Sequence, residues 1–313
     1  MSPTAKTGLR RRNYGGPADL DLMQDLQRAG WHAFGPRVPS HPGDLEWGWA
    51  SLVDPGRERS DSIVLWEDAG GEVRAWAVDD MTTFDLYLHP DERPGAAAMQ
   101  EEAIAWFLDE ARLERAHGGV PGRLAAWSDA GSDLDALLDR EGFAPDPDGG
   151  YVHRAIRLRG TPTDPDPVDG YVLFGVSLDG DLGRRVEVHR AAFDPSRMTI
   201  ERYGSVMGMP LYRPELDVVA VAPDGTFAAF CLAWYDPETR VGLFEPVGTH
   251  PDHRRRGLAA AVCREALRRL AAVGAEWALV IAKAGEPGPN RLYESLGFRE
   301  VMRSTLWRRG GAA

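Results

Sequence analysis

Cysteine is scarce: Cys231 and Cys263 are the only two in 313 residues. Neither belongs to a CxxC pair or a Cys/His cluster, so the chain offers no set of ligands for a structural zinc, and no metal is expected. Cys231 falls in an apolar strand pattern and Cys263 in a helical one. Both read as reduced core residues in a cytosol. Long apolar runs are also missing, and none approaches the roughly 20 residues of a membrane span. Met1 to Asn13 is polar, then basic at Arg10, Arg11 and Arg12, with no apolar segment after it, which speaks against a signal peptide. Excess positive charge is lacking too. A net charge of -12 argues against a nucleic-acid partner, because phosphate contacts need a basic face. An acidic surface suits a cationic or amine ligand.

The length implies about two domains, each with enough chain for a core. Residues 160–170 are rich in Pro and Asp and nearly free of apolar side chains, which reads as an extended linker. Domains are therefore expected at 1–159 and 171–313. In the second, Val172 to Val176 reads as an opening strand, followed by helices over Asp181 to Phe193 and Thr199 to Met207. Leu216 to Ala222 and Phe227 to Tyr235 flank Pro223-Asp224-Gly225, a strong hairpin signal. Val241 to Thr249 is the next strand, and Leu258, Val262, Leu267 and Leu270 then recur at helical spacing.

The most informative stretch begins at Phe244-Glu245-Pro246-Val247-Gly248-Thr249 and continues through Arg254-Arg255-Arg256-Gly257-Leu258-Ala259-Ala260. A strand runs into a turn with three arginines and a glycine, and a helix follows. The helix start leaves its first amides unpaired, its dipole favours an anion, and Gly257 admits a phosphate close to the backbone. The guanidiniums of Arg254, Arg255 and Arg256 add charge-assisted hydrogen bonds. Pro246 cannot donate to a ladder and marks an edge, bulge or splay. Downstream, Asn290-Arg291-Leu292-Tyr293-Glu294-Ser295-Leu296-Gly297-Phe298 reads as a short helix ended by Gly297, with Leu292, Leu296 and Tyr293 facing inward.

Arg254-x-x-Gly257-x-Ala259 resembles the pyrophosphate-binding motif of the GNAT superfamily of acyl-CoA-dependent N-acetyltransferases. Asn290-x-x-Tyr293-x-x-x-Gly297-Phe298 is similar to a second element of that family. The resemblance covers Asp169 to the C-terminus. It implies that acetyl-CoA is the donor cosubstrate, with its arm along Val247, Gly248 and Thr249 and beside Asn290. Its phosphates would lie on Arg254 to Ala260, Leu258 and Ala260 included. It also implies Tyr293 as the acid that protonates the departing thiolate, where a buried Tyr otherwise reads as core. Glu245, directly before the splay, is the candidate base, direct or through a water; the plainer reading is a surface ion pair or a brace for the neighbouring strand.

The first half repeats the order of the second. Leu88-His89-Pro90-Asp91 parallels Thr249-His250-Pro251-Asp252, and Leu137 to Phe143 parallels Leu292 to Phe298. The expected architecture is α/β (α+β): two tandem GNAT-like domains, each a mixed, mostly antiparallel sheet flanked by helices. The first copy departs where the chemistry would be. It has one arginine in its turn, Pro94 beside its glycine, Asp135 in place of Asn290 and Leu138 in place of Tyr293, so it reads as degenerate.

His250, His253, Glu187 and His189 read as solvated turn or helix residues. Trp31, Trp47 and Trp49 read as core, or as lining for an interface or cleft. The expected activity is transfer of an acetyl group from acetyl-CoA to a primary amine of a small molecule, by direct attack in a ternary complex. The alternative is a non-catalytic CoA-binding regulatory module. A cytoplasmic monomer or homodimer, with no membrane or nucleic-acid partner, completes the expectation.

Overall fold

Phe227 to Asp236 is apolar nearly throughout, as a strand covered on both faces must be. It lies within a sheet that spans the whole molecule. The structure, a computed structural model, describes residues 7–51, 60–160, 165, 168–176 and 180–310. Residues 1–6 of the opening segment, and 161–164 and 166–167 of the expected linker, lie outside that set.

The first half runs β1 (Arg10–Asn13), α1 (Pro17–Phe34), α2 (Pro42–Ser51), β2 (Ile63–Glu67), β3 (Val73–Asp80), β4 (Thr83–Leu88), a 3-10 turn (Pro90–Gly95), α3 (Ala96–Phe107), α4 (Glu110–His117), β5 (Leu124–Asp129), α5 (Asp133–Arg140) and β6 (Ala144–Arg157). The second runs β7 (Val172–Gly175), α6 (Leu182–Ala192), α7 (Ile200–Met207), a 3-10 turn (Pro214–Leu216), β8 (Asp217–Val221), β9 (Phe227–Asp236), β10 (Val241–Thr249), a 3-10 turn (Pro251–His253), α8 (Leu258–Ala272), β11 (Trp277–Lys283), α9 (Pro287–Ser295) and β12 (Arg299–Arg309). Apart from α4 and the turn before β8, the two orders coincide.

The twelve strands form one sheet in the order β1-β2-β3-β4-β5-β12-β6-β11-β10-β9-β8-β7. The halves exchange their last strands: β12 pairs with β5 of the first half, and β6 pairs with β11 of the second. Within each half the strands are antiparallel except for one parallel pair, β4 with β5 and β10 with β11.

Alternation along the strands sends Leu232, Trp234, Val241 and Leu243 to the face covered by α2, α6 and α7. Cys231, Ala233 and Phe244 go to the opposite face with α8 and α9. The first face is shared: Trp47 and Ala50 of the first half pack with Tyr203, Trp234 and Leu279 of the second. Cys231 and Cys263 are buried and free.

Candidate active site

The anion turn starts where β10 ends. His250 accepts a hydrogen bond from the Asp252 amide through Nδ1, and His253 Nδ1 bonds the Tyr171 hydroxyl at 2.8 Å. Both histidines build the turn. Arg254, Arg255 and Arg256 are exposed beyond it. Gly257, at φ 80°, precedes α8 as its N-cap, and no side chain caps the helix. Its first-turn amides therefore face outward beside three guanidiniums. A Cβ on Gly257 would meet nothing within 4 Å, so the space over the turn is open. Leu258 is buried, and Ala259 and Ala260 are half-buried and short.

The strands that lead into the turn part as they approach it. β10 and β11 pair from Val241/Trp277 to Phe244/Val280 and no further. On its other edge β10 shifts register against β9 between Phe244 and Val247, so Glu245 and Pro246 stand outside the ladder. The Trp234 indole donates to the Glu245 carbonyl at 2.8 Å and fixes the flare. Val247, Gly248 and Thr249 continue towards the turn, paired with β9 on one edge and, beyond Phe244, unpaired with β11 on the other.

Glu245 follows the alternation of Val241 and Leu243, on the α2 face. Tyr293, 6 % exposed, belongs to the opposite face with α8 and α9. The two thus approach the parted strands from opposite sides of the sheet, near enough for the Glu245 charge to act on the phenol. Burial first, then Cys263, Cys231 and Glu245, hold the Tyr293 hydroxyl well above the usual tyrosine range. It stays protonated at neutral pH and makes no hydrogen bond among the described residues.

Glu245 has a partner that sequence reasoning missed. Burial, then the charge of Asp44, then a hydrogen bond between the two carboxyls, push the Glu245 carboxyl well above the usual range. Asp44 sits on α2, in the first half. Its position is dictated locally: the Gly43 amide donates to His41 Nδ1, so Nε2 carries the proton and donates to the Val241 carbonyl at 3.1 Å. Burial keeps His41 neutral, its pKa down to about 4. Glu46 accepts from the Leu211 amide, and a Cβ at Gly43 would stand 2.3 Å from Trp234 Cβ. The only sequence signal was His41-Pro42-Gly43-Asp44, legible as a helix start with Pro in its first turn but not as part of a site.

A second tie across the halves runs through Arg154 on β6. It donates to Asn290 Oδ1 at 3.0 Å and to Glu294 at 2.8 Å, bracing α9. Asn290 Nδ2 donates to the carbonyls of Lys283 and Glu286. Its amide is spent on the turn between β11 and α9, which places Tyr293.

Residues 228–308 match the family described as FR47-like protein. A GCN5-related N-acetyltransferase from Sphaerobacter thermophilus superposes with a TM-score of 0.68 at 22% identity, covering 99% of this chain and 99% of that one. A tandem GNAT protein from the clavulanic acid biosynthesis pathway gives 0.66 at 16% identity, over 97% of this chain and 100% of that one. The chain has the tandem GNAT fold. N-myristoyltransferase from Saccharomyces cerevisiae, with bound myristoyl-CoA, shares it at a TM-score of 0.58 and 11% identity, over 98% of this chain and 80% of that one. Among curated proteins there is no match.

The N-terminal GNAT unit repeats the frame of the site with different side chains. His89 caps its turn through Nδ1 as His250 does. Asp135 accepts from Ser128 Oγ and the Gly131 amide, so a carboxylate closes the turn where Asn290 closes the other by donating. Leu138 is fully buried in the place of Tyr293. Strands β4 and β5 pair only at Thr83/Ala125 and Phe84/Ala126, and the gap beyond opens into a cleft of about 650 Å³ that reaches Glu245. A neighbouring cleft of about 430 Å³ shares Asp44, Asp85 and Trp127 and takes in Trp49.

Trp31 packs against Trp277 of the other unit, so it and Trp47 serve the interface between the halves. His189, expected on a solvated face, is instead buried among Trp47, Phe193 and Phe230, and its pKa falls to about 3 through burial and then Arg185. Helix α6 packs on α7 and β9 and turns His189 inward, while Arg184, Glu187 and Arg190 take its exposed side. Glu187 is exposed, as expected.

Proposed function

We propose that the chain is an N-acetyltransferase that moves an acetyl group from acetyl-CoA to a primary amine of a small molecule in a ternary complex. The C-terminal unit, residues 171–313, would hold the donor, joined through 160–170 to a degenerate unit at 1–159. The observation that carries the reading is the parting of β10 and β11 after Phe244/Val280, with Glu245 and Tyr293 at its two faces and the uncapped start of α8 at its end.

The donor's pyrophosphate lies on the amides of Leu258, Ala259 and Ala260 beside Arg254, Arg255 and Arg256, with Gly257 admitting it. Its pantetheine runs along Val247, Gly248 and Thr249 to the flare, and Asn290 shapes the wall through the turn it closes. The amine attacks the thioester carbon and a new C–N bond forms. Its proton passes to Glu245 directly or through a water, the C–S bond breaks, and the thiolate takes a proton from Tyr293. A raised carboxyl pKa suits a base that must accept a proton near neutral pH. Cys263, buried in the core, has no part in this, and no metal is required.

The intact Glu245 and Tyr293 favour this reading over a CoA-binding regulatory module. Release of CoA thiol from acetyl-CoA, measured across a panel of amines with Glu245→Gln beside it, tests it. Amine-dependent release that falls about 100-fold in the variant is expected. CoA binding with no release for any amine would favour the regulatory module.

A further inference from the structure

The cleft in the N-terminal unit occupies the counterpart of the donor groove. It opens between β4 and β5 where they part, beside the starts of α3 and α5, as the donor groove opens between β10 and β11. Its charge is opposite to what a nucleotide needs. Asp44, Asp85, Asp129, Asp133 and Glu245 line it against the single guanidinium of Arg93. Arg93 acts on Asp129. Asp44 and Asp85 have no ion pair among the described residues, and each lies within the field of the other.

A group of carboxylates is not a ligand site by itself, but the wall carries unspent polar atoms as well. Tyr87, 4 % exposed, lines the cleft with its hydroxyl near Ser40 but at no hydrogen-bond geometry, and among the described residues neither it nor the buried Ser132 Oγ has a partner. Buried polar atoms left unpaired are uncommon and point to a group that arrives later. Aromatic side chains line the same space: Trp127 lies 4.9 Å from Tyr151, and Tyr87 stands on the same wall. Carboxylates interleaved with aromatic rings hold ammonium groups by charge and by cation–π attraction. Among the described residues no three carboxylates are gathered tightly enough to chelate a metal ion, which favours an extended organic cation.

We infer that the acceptor carries at least two ammonium groups, and that the parted strands of the N-terminal unit hold the one that does not react. This rests on the transfer reading, since it places the reactive amine at Glu245 and Asp44 and the distal one at Asp85 and Asp129. The degenerate unit, having lost the features that bind a nucleotide, thereby supplies the specificity of the other. Burial and then the charge of Asp44 raise Asp85 to about 7, a cost that an incoming ammonium relieves.

Calorimetric titration tests this with spermidine and n-butylamine as probes, on the intact chain and on Asp85→Asn with Asp129→Asn, with acetyl-CoA titrated in parallel. Spermidine is expected to bind one site, about tenfold or more tighter than n-butylamine. The double variant should lose that margin and keep its acetyl-CoA affinity. On the unaltered chain, spermidine affinity should also fall as salt rises. Equal affinity for the two probes, or spermidine binding that the double variant retains, overturns the inference. Acetyl-CoA binding without spermidine binding would sink this inference and leave the transfer reading standing. Spermidine binding without acetyl-CoA binding would sink the transfer reading and leave the cation cleft.

Discussion

Asp44 and Glu245 come from opposite halves of the chain and line one cleft, where the Asp44 charge acts on the Glu245 carboxyl. Neither half contains the pair alone. Helix α2 is set down on β9 and β10 by Gly43 and His41 and tied to the segment after α7 by Glu46, and the flare of β10 brings Glu245 to the same cleft. The result is a carboxyl whose affinity for protons is raised by burial and by a second carboxylate.

The pH profile follows. Glu245 accepts a proton only when ionised, and its pKa is raised, so kcat/KM should climb with pH through that pKa. Asp44→Asn removes the neighbouring charge while burial, the larger cause, remains. The acid limb should move to lower pH yet stay above that of an ordinary carboxylate. An unmoved limb would detach Asp44 from the base.

Tyr293→Phe should lower kcat about 100-fold while acetyl-CoA affinity holds, because only the acid is lost. A donor whose thiol leaves without needing a proton should recover much of the rate. Full activity with acetyl-CoA would remove Tyr293 from the chemistry.

Gly43→Val places side-chain atoms where Trp234 already stands. Helix α2 must shift, at a cost of about 1–3 kcal/mol. Turnover should fall with Asp44 displaced, while acetyl-CoA binding at the start of α8, which α2 does not form, stays as it was. A thermal melt and a donor titration on one preparation separate the two effects.

Asp85 faces Asp44, Asp80 and Asp129, and its folded pKa near 7 lies above the unfolded value of about 4. The folded state therefore binds the proton more tightly. The stability this gives is complete below pH 4 and is lost as pH rises through 7. Asp85→Asn should flatten the decline in Tm between pH 5 and pH 8, by roughly 2–4 °C for each kcal/mol recovered. An unchanged slope would mean that Asp85 is ionised throughout.

Much of the C-terminal unit could be read in advance. Val241 to Thr249 is β10 to the residue, because its apolar run ends at a His-Pro-Asp turn. The Pro223-Asp224-Gly225 hairpin and the start of α8 after Gly257 were equally local. What sequence could not give is the strand exchange. β6 and β12 each end their half as an ordinary strand, and nothing in Ala144–Arg157 says that it will pair with β11. For the same reason Asp44 and Arg154 were missed. Each is an unremarkable charged residue until the other half arrives beside it. His189 was misjudged because it sits on the inward side of α6 among Trp47, Phe193 and Phe230, while Arg184, Glu187 and Arg190 hold the exposed side.

On the proposed reading each chain binds one donor, in the C-terminal unit. Calorimetric titration of acetyl-CoA into the intact chain and into Gly257→Trp tests it most directly, since Gly257 holds a left-handed φ of 80° at the open start of α8. One molecule bound per chain, with affinity lost in the variant, is the predicted result. Two molecules per chain, or binding that Gly257→Trp leaves intact, would contradict it.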